Sequence, residues 1–184
     1  MLGLLALMDI MVFHRLKART GEKLDRKQEG LFSLVALRVL ALAGLIALVA
    51  YFRNPANLAF SAVPLPEWLR WIGVGLGCMA LWLLFWTLQS LGKNLTDTVV
   101  TRTHHTLVST GPYRWIRHPF YTCAGLVALT VFLVTSNALF LITGGSIFLL
   151  LALRTRVEEA NLLTRFGEDY RKYMDRTGRF LPRL

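Results

Sequence analysis

The chain has 184 residues, of which 54% are hydrophobic and 17% are charged, and it carries a formal net charge of +10. Soluble domains have about one quarter charged residues, so this composition indicates a protein whose apolar surface faces lipid. A high positive charge is also typical of nucleic-acid-binding domains, but these do not need long uninterrupted apolar runs. We therefore exclude nucleic acid as a partner and attribute the charge to membrane topology.

Five apolar segments predict five transmembrane helices in an all-α integral membrane protein. About 20 residues are needed to cross the hydrocarbon core, and they must be helical because lipid cannot satisfy a broken backbone. The first segment is short for a span. The last two are separated by little more than "TSN" and are expected to form a helical hairpin. The segments are residues 1–14, 31–52, 67–90, 119–134 and 137–155.

The distribution of lysine and arginine predicts the orientation of these helices. Residues 15–30 carry six basic side chains, residues 91–118 carry four, and the chain from Arg154 onward carries eight. Residues 53–66 carry one and residues 135–136 carry none. Cytoplasmic loops hold the basic excess, so we expect the N-terminus outside and the C-terminus in the cytoplasm.

Two charged residues lie within apolar segments, where an isolated charge is costly. Asp9 precedes the first basic loop by about five residues and Arg38 follows it by about eight. At ~1.5 Å per residue both reach a similar depth, which predicts an Asp9–Arg38 ion pair. In the alternative, each side chain extends separately to the interface.

The glycines of "GVGLG" (Gly73, Gly75 and Gly77) lie in the middle of the third apolar segment. A nucleotide-binding loop would follow a strand, and none is predicted here. Small residues let membrane helices approach closely, so we interpret these glycines as helix-packing positions.

The cysteines and the adjacent histidines do not have the spacing of a metal site. Cys78 and Cys123 lie inside apolar segments without CxxC spacing and are interpreted as small core residues. His104 and His105 are consecutive, so their side chains diverge in regular structure, and no carboxylate lies at metal-ligand spacing. We expect neither a disulfide nor a metal.

The stretch "HTLVSTGPYRWIRHPFY" ahead of the fourth segment concentrates basic and aromatic residues. Pro119 suits the first turn of a helix and keeps His118 out of helical geometry. The imidazole is then held beside the N–H groups of the helix start. Trp115 with Arg114 and Arg117 is typical of an interfacial anchor, and we assign these three to the membrane.

A second polar cluster, "RTRVEEANLLTRFGEDYRKYMDRTGRFLP", follows the hairpin, and the fifth segment continues into it without a break until Gly167. Arg154 and Glu158 are four residues apart, on one helical face. They form either an ordinary salt bridge or a pair that binds two oppositely charged groups. The positions after them predict a cytoplasmic amphipathic helix along the membrane, formed by Glu159, Leu162, Leu163, Phe166, Tyr170 and Tyr173.

Together, the two clusters resemble the isoprenylcysteine carboxyl methyltransferase family of integral membrane enzymes, with its prokaryotic relatives and the related phospholipid methyltransferases. The resemblance rests on R-H-P-x-Y, the hairpin, E-E-x-x-L and F-G-x-x-Y-x-x-Y at these spacings, and it covers residues 105–182. It divides the chain into N-terminal membrane helices (residues 1–98, with the cytoplasmic loop 15–30) and a catalytic region (residues 99–184).

The resemblance implies S-adenosylmethionine (SAM) as the methyl donor, bound at the cytoplasmic face. It implies that Arg154 orients the acceptor. A polar residue of other members is replaced near Thr98, which leaves the adenine contacts open. Carried over by position, the cofactor contacts are His105, Thr106, Leu107, Val108, Tyr113, His118, Pro119, Phe120, Tyr121 and Glu158.

These residue types agree with methyl transfer. An in-line displacement needs positioning and a dry site, and a carboxylate acceptor is already ionised at neutral pH, so it needs no base. Glu158 suits the amino group of SAM, and aromatic rings suit its adenosine or its sulfonium. The resemblance further implies a lipophilic or lipidated acceptor that enters from the bilayer. The short chain is more similar to prokaryotic members, which implies a bacterial inner membrane.

Three alternatives stay open. An amine N-methyltransferase would use the same cofactor and would need a base, for which His118 and Tyr121 are candidates. Membrane sterol reductases resemble this family in their C-terminal region, so an NADPH-dependent reductase is the second. The third is a non-catalytic membrane protein in which both clusters only shape an interface.

Overall fold

The computed structural model describes residues 31–91 and 107–183, and every structural statement below concerns these residues. The described part contains α-helices, two short 3₁₀ helices (Pro55–Ser61 and Gly111–Arg114) and no strand, as an all-α fold predicts. The four α-helices are α1 (Leu31–Arg53), α2 (Glu67–Leu91), α3 (Pro119–Thr135) and α4 (Ala138–Arg176).

Three of these helices, α1, α2 and α4, are long and apolar enough to cross a membrane, and α3 is apolar but has 17 residues. The four predicted segments after the first each correspond to a helix. The segment 1–14, the loop 15–30 and the Asp9–Arg38 pair lie wholly or partly outside the described residues. The total of five spans therefore stays a prediction.

Helices α3 and α4 form the predicted hairpin. Ser136 adopts a left-handed conformation with φ 50° between the two helices. Asn137, 1% exposed, caps α4 by accepting from the amide of Leu139 at 3.1 Å. Its amide group donates to the carbonyl of Leu58 at 2.9 Å, and it accepts from the Ser61 hydroxyl at 2.9 Å. The two loops predicted to be external therefore meet at one end of the helices.

Two of the three glycines in "GVGLG" lie where α2 packs against α3. A Cβ at Gly73 would lie 2.7 Å from the Cβ of Leu133, and one at Gly77 would lie 3.0 Å from Thr130. Gly75 faces open space. The helix-packing interpretation is confirmed for Gly73 and Gly77 and is wrong for Gly75.

The two cysteines occupy different environments. Cys123 on α3 is buried (2% exposed), as predicted, whereas Cys78 is exposed, so its assignment to the core is wrong. Position 78 is about 100° around the helix from Gly77 and turns away from α3. Because α2 is apolar on all sides, its sequence does not indicate which face meets another helix.

Helix α4 continues from the hairpin through the whole second polar cluster, with a kink at Gly167, where φ is 53°. Beyond the kink, Tyr170 and Tyr173 are buried, at 1% and 3% exposure. The residues predicted to form the amphipathic helix thus lie in the second half of α4, and the amphipathic character of this part and its placement along the membrane stay predictions. After Arg176 the chain turns back toward the start of α3.

Candidate active site

His118 lies at the start of α3 on a loop whose path is set by two prolines. Pro112 is buried in a 3₁₀ helix that begins at Gly111, where φ is 61°. Pro119 is the first residue of α3 and His118 precedes it with φ −123° and ψ 58°, outside helical geometry, as predicted. The His118 side chain is 8% exposed. The loop therefore directs the imidazole into the protein rather than toward solvent.

Residues 177–180, which we call the C-terminal strap, bind this loop through the backbone. The amide of His118 donates to the carbonyl of Arg179 at 3.0 Å. Gly178 makes two further backbone hydrogen bonds to the residues just before His118, at 3.0 and 2.8 Å. A Cβ at position 178 would overlap the carbonyl oxygen of Leu181, so the turn requires glycine. The strap thus fixes the backbone at His118.

The first group of polar side chains surrounds Glu158. The Tyr121 hydroxyl donates to Glu158 Oε1 at 2.6 Å, and His118 Nδ1 lies 3.4 Å from Oε2. Arg154 Nε lies 3.7 Å from Oε1, and the Arg154 and Glu158 side chains are 11% and 19% exposed. The rings of His118 and Tyr121 are stacked, with centroids 5.5 Å apart. The predicted Arg154–Glu158 pair is therefore part of a larger cluster.

The second group surrounds Glu159, whose side chain is 6% exposed. Arg117 Nε donates to Glu159 Oε1 at 2.9 Å, and Arg179 Nε donates to the same oxygen at 3.2 Å. His118 Nε2 lies 3.3 Å from it. The guanidinium of Arg117 also donates to two backbone carbonyls, at the end of α4 and at the start of the strap. Loop, helix α4 and strap therefore meet at one carboxylate.

The assignment of Arg117 to the membrane interface is wrong. Its side chain is 10% exposed, because Glu159 and the two carbonyls accept its hydrogen bonds inside the protein. Trp115 and Arg114 are exposed, and the Arg114 guanidinium lies 5.7 Å from the centroid of the Trp115 ring. For these two residues the role of an interfacial anchor stays a prediction.

The carboxylates favour the protonated form of His118. Burial by itself lowers the pKa of the imidazole, but hydrogen bonds to both glutamates and their negative charges outweigh it, so the pKa is raised above its ordinary value of 6.5. Each ring nitrogen can then donate to one carboxylate. With three arginines also in the two groups, the site holds more positive than negative charge.

The other predicted cofactor contacts lie in different surroundings. Pro119 is buried at the start of α3. Phe120 packs against the core residues of α2 and Cys123. The carbonyl of Tyr113 accepts from the Tyr173 hydroxyl at 2.7 Å, which ties the loop to α4. Leu107 and Val108 are partly buried, and His105, Thr106 and Thr98 lie outside the described residues.

The sequence alone did not reveal the roles of Glu159, Arg117, Arg179 and Gly178. A signal was present in the first two, since one is the second acid of the E-E pair and the other precedes the H-P dipeptide. Arg179 and Gly178, in the strap, had no such sequence signal, because the residues that they contact are distant in the chain.

A family model described as the isoprenylcysteine carboxyl methyltransferase (ICMT) family matches residues 73–164. This region is half of the chain and contains His118, Arg154, Glu158 and Glu159. The chain belongs to this family. Together with the long apolar helices, membership makes it a multi-pass integral membrane protein.

One solved structure, of the eukaryotic intramembrane Ras methyltransferase ICMT (isoprenylcysteine carboxyl methyltransferase), is similar to this chain. The TM-score is 0.60 at 23% sequence identity, over 79% of this chain and 51% of the other. The chain thus spans about half the length of that ICMT, and the similarity shows a common fold. A comparison with curated proteins found no match.

Proposed function

We propose that this chain is a SAM-dependent methyltransferase that methylates the carboxylate of a lipophilic acceptor in the membrane. The observation that carries the proposal is the cluster of Arg154, Glu158, Tyr121 and His118, in which a cation and a carboxylate lie 3.7 Å apart. ICMT family membership supports the type of reaction, and the cluster supplies the residue types that the reaction needs.

The residue types around Glu158 fit the groups of SAM. The Glu158 side chain is 19% exposed, so a ligand's amino group can reach its carboxylate, and the hydrogen bond from Tyr121 orients it. The faces of Tyr113 and Tyr121 suit a positive charge through cation–π attraction. When bound, SAM supplies an electrophilic methyl group on its sulfonium. By resemblance, the other proposed contacts are His105, Thr106, Leu107, Val108, His118, Pro119 and Phe120.

The cluster also supports a carboxylate as the methyl acceptor. The planar guanidinium of Arg154 matches a carboxylate and would orient it. An ionised carboxylate needs no base, whereas an ammonium group must first lose a proton. His118 is a poor base because its protonated form is favoured. The excess of positive charge further favours an anionic acceptor over a cationic amine.

The surface of α4 supports an acceptor that approaches from the bilayer. Leu149, Leu153 and Val157 recur every four residues and are 60%, 50% and 40% exposed. At this spacing they form one apolar face, which leads along the helix to the level of Arg154. A prenyl or acyl chain can lie against such a face while its polar end reaches the cluster.

The proposal is tested by measuring methyl transfer from radiolabelled SAM with the purified protein in lipid nanodiscs. A prenylcysteine analogue and phosphatidylethanolamine serve as alternative acceptors. We expect transfer to the carboxylate acceptor, and a loss of roughly 100-fold or more in turnover for Arg154→Ala, with SAM binding retained. Arg156→Ala, on an exposed face of the same helix, should match the wild type.

Several outcomes would contradict the proposal. Transfer to phosphatidylethanolamine alone would indicate an amine methyltransferase. Stabilisation by NADPH without binding of SAM would indicate a reductase. Full activity of Arg154→Ala would remove this residue from the reaction.

A further inference from the structure

The His118 ring is held by neighbours on both edges and on its face. Nδ1 lies 3.4 Å from Glu158 and Nε2 lies 3.3 Å from Glu159. The ring stacks on Tyr121 at an interplanar angle of 6°, and the Phe180 ring of the C-terminal strap lies 6.1 Å away. A rotation of the imidazole would break both contacts with carboxylates. The two glutamates therefore determine how the ring is oriented.

The two glutamates differ in what else they contact. The side chain of Glu158 is 19% exposed, whereas that of Glu159 is 6% exposed. Glu159 accepts from Arg117 at 2.9 Å and from Arg179 at 3.2 Å, in addition to its contact with His118. Its oxygens are thus occupied by groups of the protein itself. Glu159 is consequently unsuited to hold a ligand and acts on the loop and the strap.

We propose that Glu159 is a positioning residue that, together with Arg117 and Arg179, fixes the His118 ring and makes the C-terminal strap part of the cofactor site. The oriented ring in turn holds Glu158, the proposed partner of the cofactor's amino group. The consequence for SAM rests on the function proposed above. The consequence for the imidazole itself is independent of it.

The charges in the cluster predict opposite effects for two substitutions. Glu159→Gln removes a negative charge 3.3 Å from Nε2 of the imidazole, so the pKa of the ring should fall. Arg179→Gln removes a positive charge from Glu159, whose uncompensated charge then favours the imidazolium, so the pKa should rise. The other ionisable groups that face the ring, Glu158, Tyr121 and Arg117, are the same in both variants.

The pKa of His118 is measured by NMR on the full-length protein in detergent with isotope-labelled histidine, and its signal is identified by its loss in His118→Gln. Glu159→Gln should lower the pKa by about one unit or more, and Arg179→Gln should raise it. Glu168→Gln and Arg171→Gln change exposed residues of the same charges and should leave it unchanged. Glu159→Asp keeps the negative charge, so the pKa of His118 in this variant should lie between the values in the wild type and in Glu159→Gln.

Calorimetry of SAM binding to the same proteins tests the consequence for the cofactor. Glu159→Gln and Arg179→Gln should each weaken binding about tenfold, the size of effect typical of losing an orienting partner behind a ligand contact. The control variants Glu168→Gln and Arg171→Gln should bind SAM like the wild type.

The outcomes separate this proposal from the proposed function. If Glu159→Gln lowers only thermal stability and leaves the pKa of His118 unchanged, Glu159 has a structural role alone and the proposal is wrong. If the wild type does not bind SAM, the proposed function fails, while opposite pKa shifts still establish the positioning role. If Glu159→Gln does not fold, Arg179→Gln decides by its sign, since the Arg179 side chain is 42% exposed and its loss is tolerable.

Discussion

Replacing Arg117 by methionine should destabilise the folded protein by about 3 kcal/mol. The Arg117 and Glu159 side chains are 10% and 6% exposed, and removing one partner of a buried ion pair costs about 3–5 kcal/mol. Arg179 still neutralises Glu159 in the variant, which favours the lower end of this range. Two backbone carbonyls also lose their hydrogen-bond donor. This loss adds to the cost, so we do not expect the destabilisation to fall below about 3 kcal/mol.

The measurement is equilibrium unfolding of the purified protein in detergent micelles, with Arg114→Met as the matched control. The Arg114 side chain is exposed and stacks on Trp115, so its loss should cost less than about 1 kcal/mol. Equal and small effects of the two substitutions would show that Arg117 is an interfacial anchor, and would refute the buried cluster around Glu159.

Three further predictions concern packing, capping and pH. Gly73→Ala forces α2 away from α3 and should cost about 1–3 kcal/mol in the same unfolding assay, whereas Gly75→Ala, in open space, should be neutral or slightly stabilising; equal effects would contradict the packing. Asn137→Ala removes a helix cap and leaves buried partners unsatisfied, so it should cost about 2–4 kcal/mol. Its control is Asn54→Ala, which removes the exposed cap of the 3₁₀ helix Pro55–Ser61 and should cost about 1 kcal/mol or less. Because the pKa of His118 is higher in the folded protein than its ordinary 6.5, protonation favours folding, and this contribution is complete below that pH and lost as pH rises through the raised pKa. The difference in thermal midpoint between wild type and His118→Gln should therefore shrink as pH rises above 6.5, and a constant difference would contradict it.

The sequence predicted those features that depend on neighbouring residues. The start of α3 follows from the local effect of Pro119 on His118. The hairpin follows from two apolar runs with only two residues between them. The shared face of Arg154 and Glu158 follows from helical spacing. Each of these is decided within a few residues along the chain.

The features that the sequence analysis missed depend on distant contacts. Arg117 lies among aromatic and basic residues that are typical of a membrane interface, and its actual partner, Glu159, is 42 residues away. Arg179 reaches Glu159 only because the strap returns from the end of α4 toward the loop before His118. No local sequence pattern indicates that the chain turns after α4 or where it goes afterwards. The sequence gives no indication that Cys78 is exposed, because a helix that faces lipid is apolar on all sides.

We propose that the cluster around Glu158 binds SAM, and calorimetry of SAM with the purified protein in detergent measures this binding without relying on an acceptor. We expect binding to the wild type, binding weakened at least about tenfold for Glu158→Gln, and unchanged binding for the exposed control Glu168→Gln. Absence of SAM binding to the wild type, or equal affinity of Glu158→Gln and wild type, would contradict the claim.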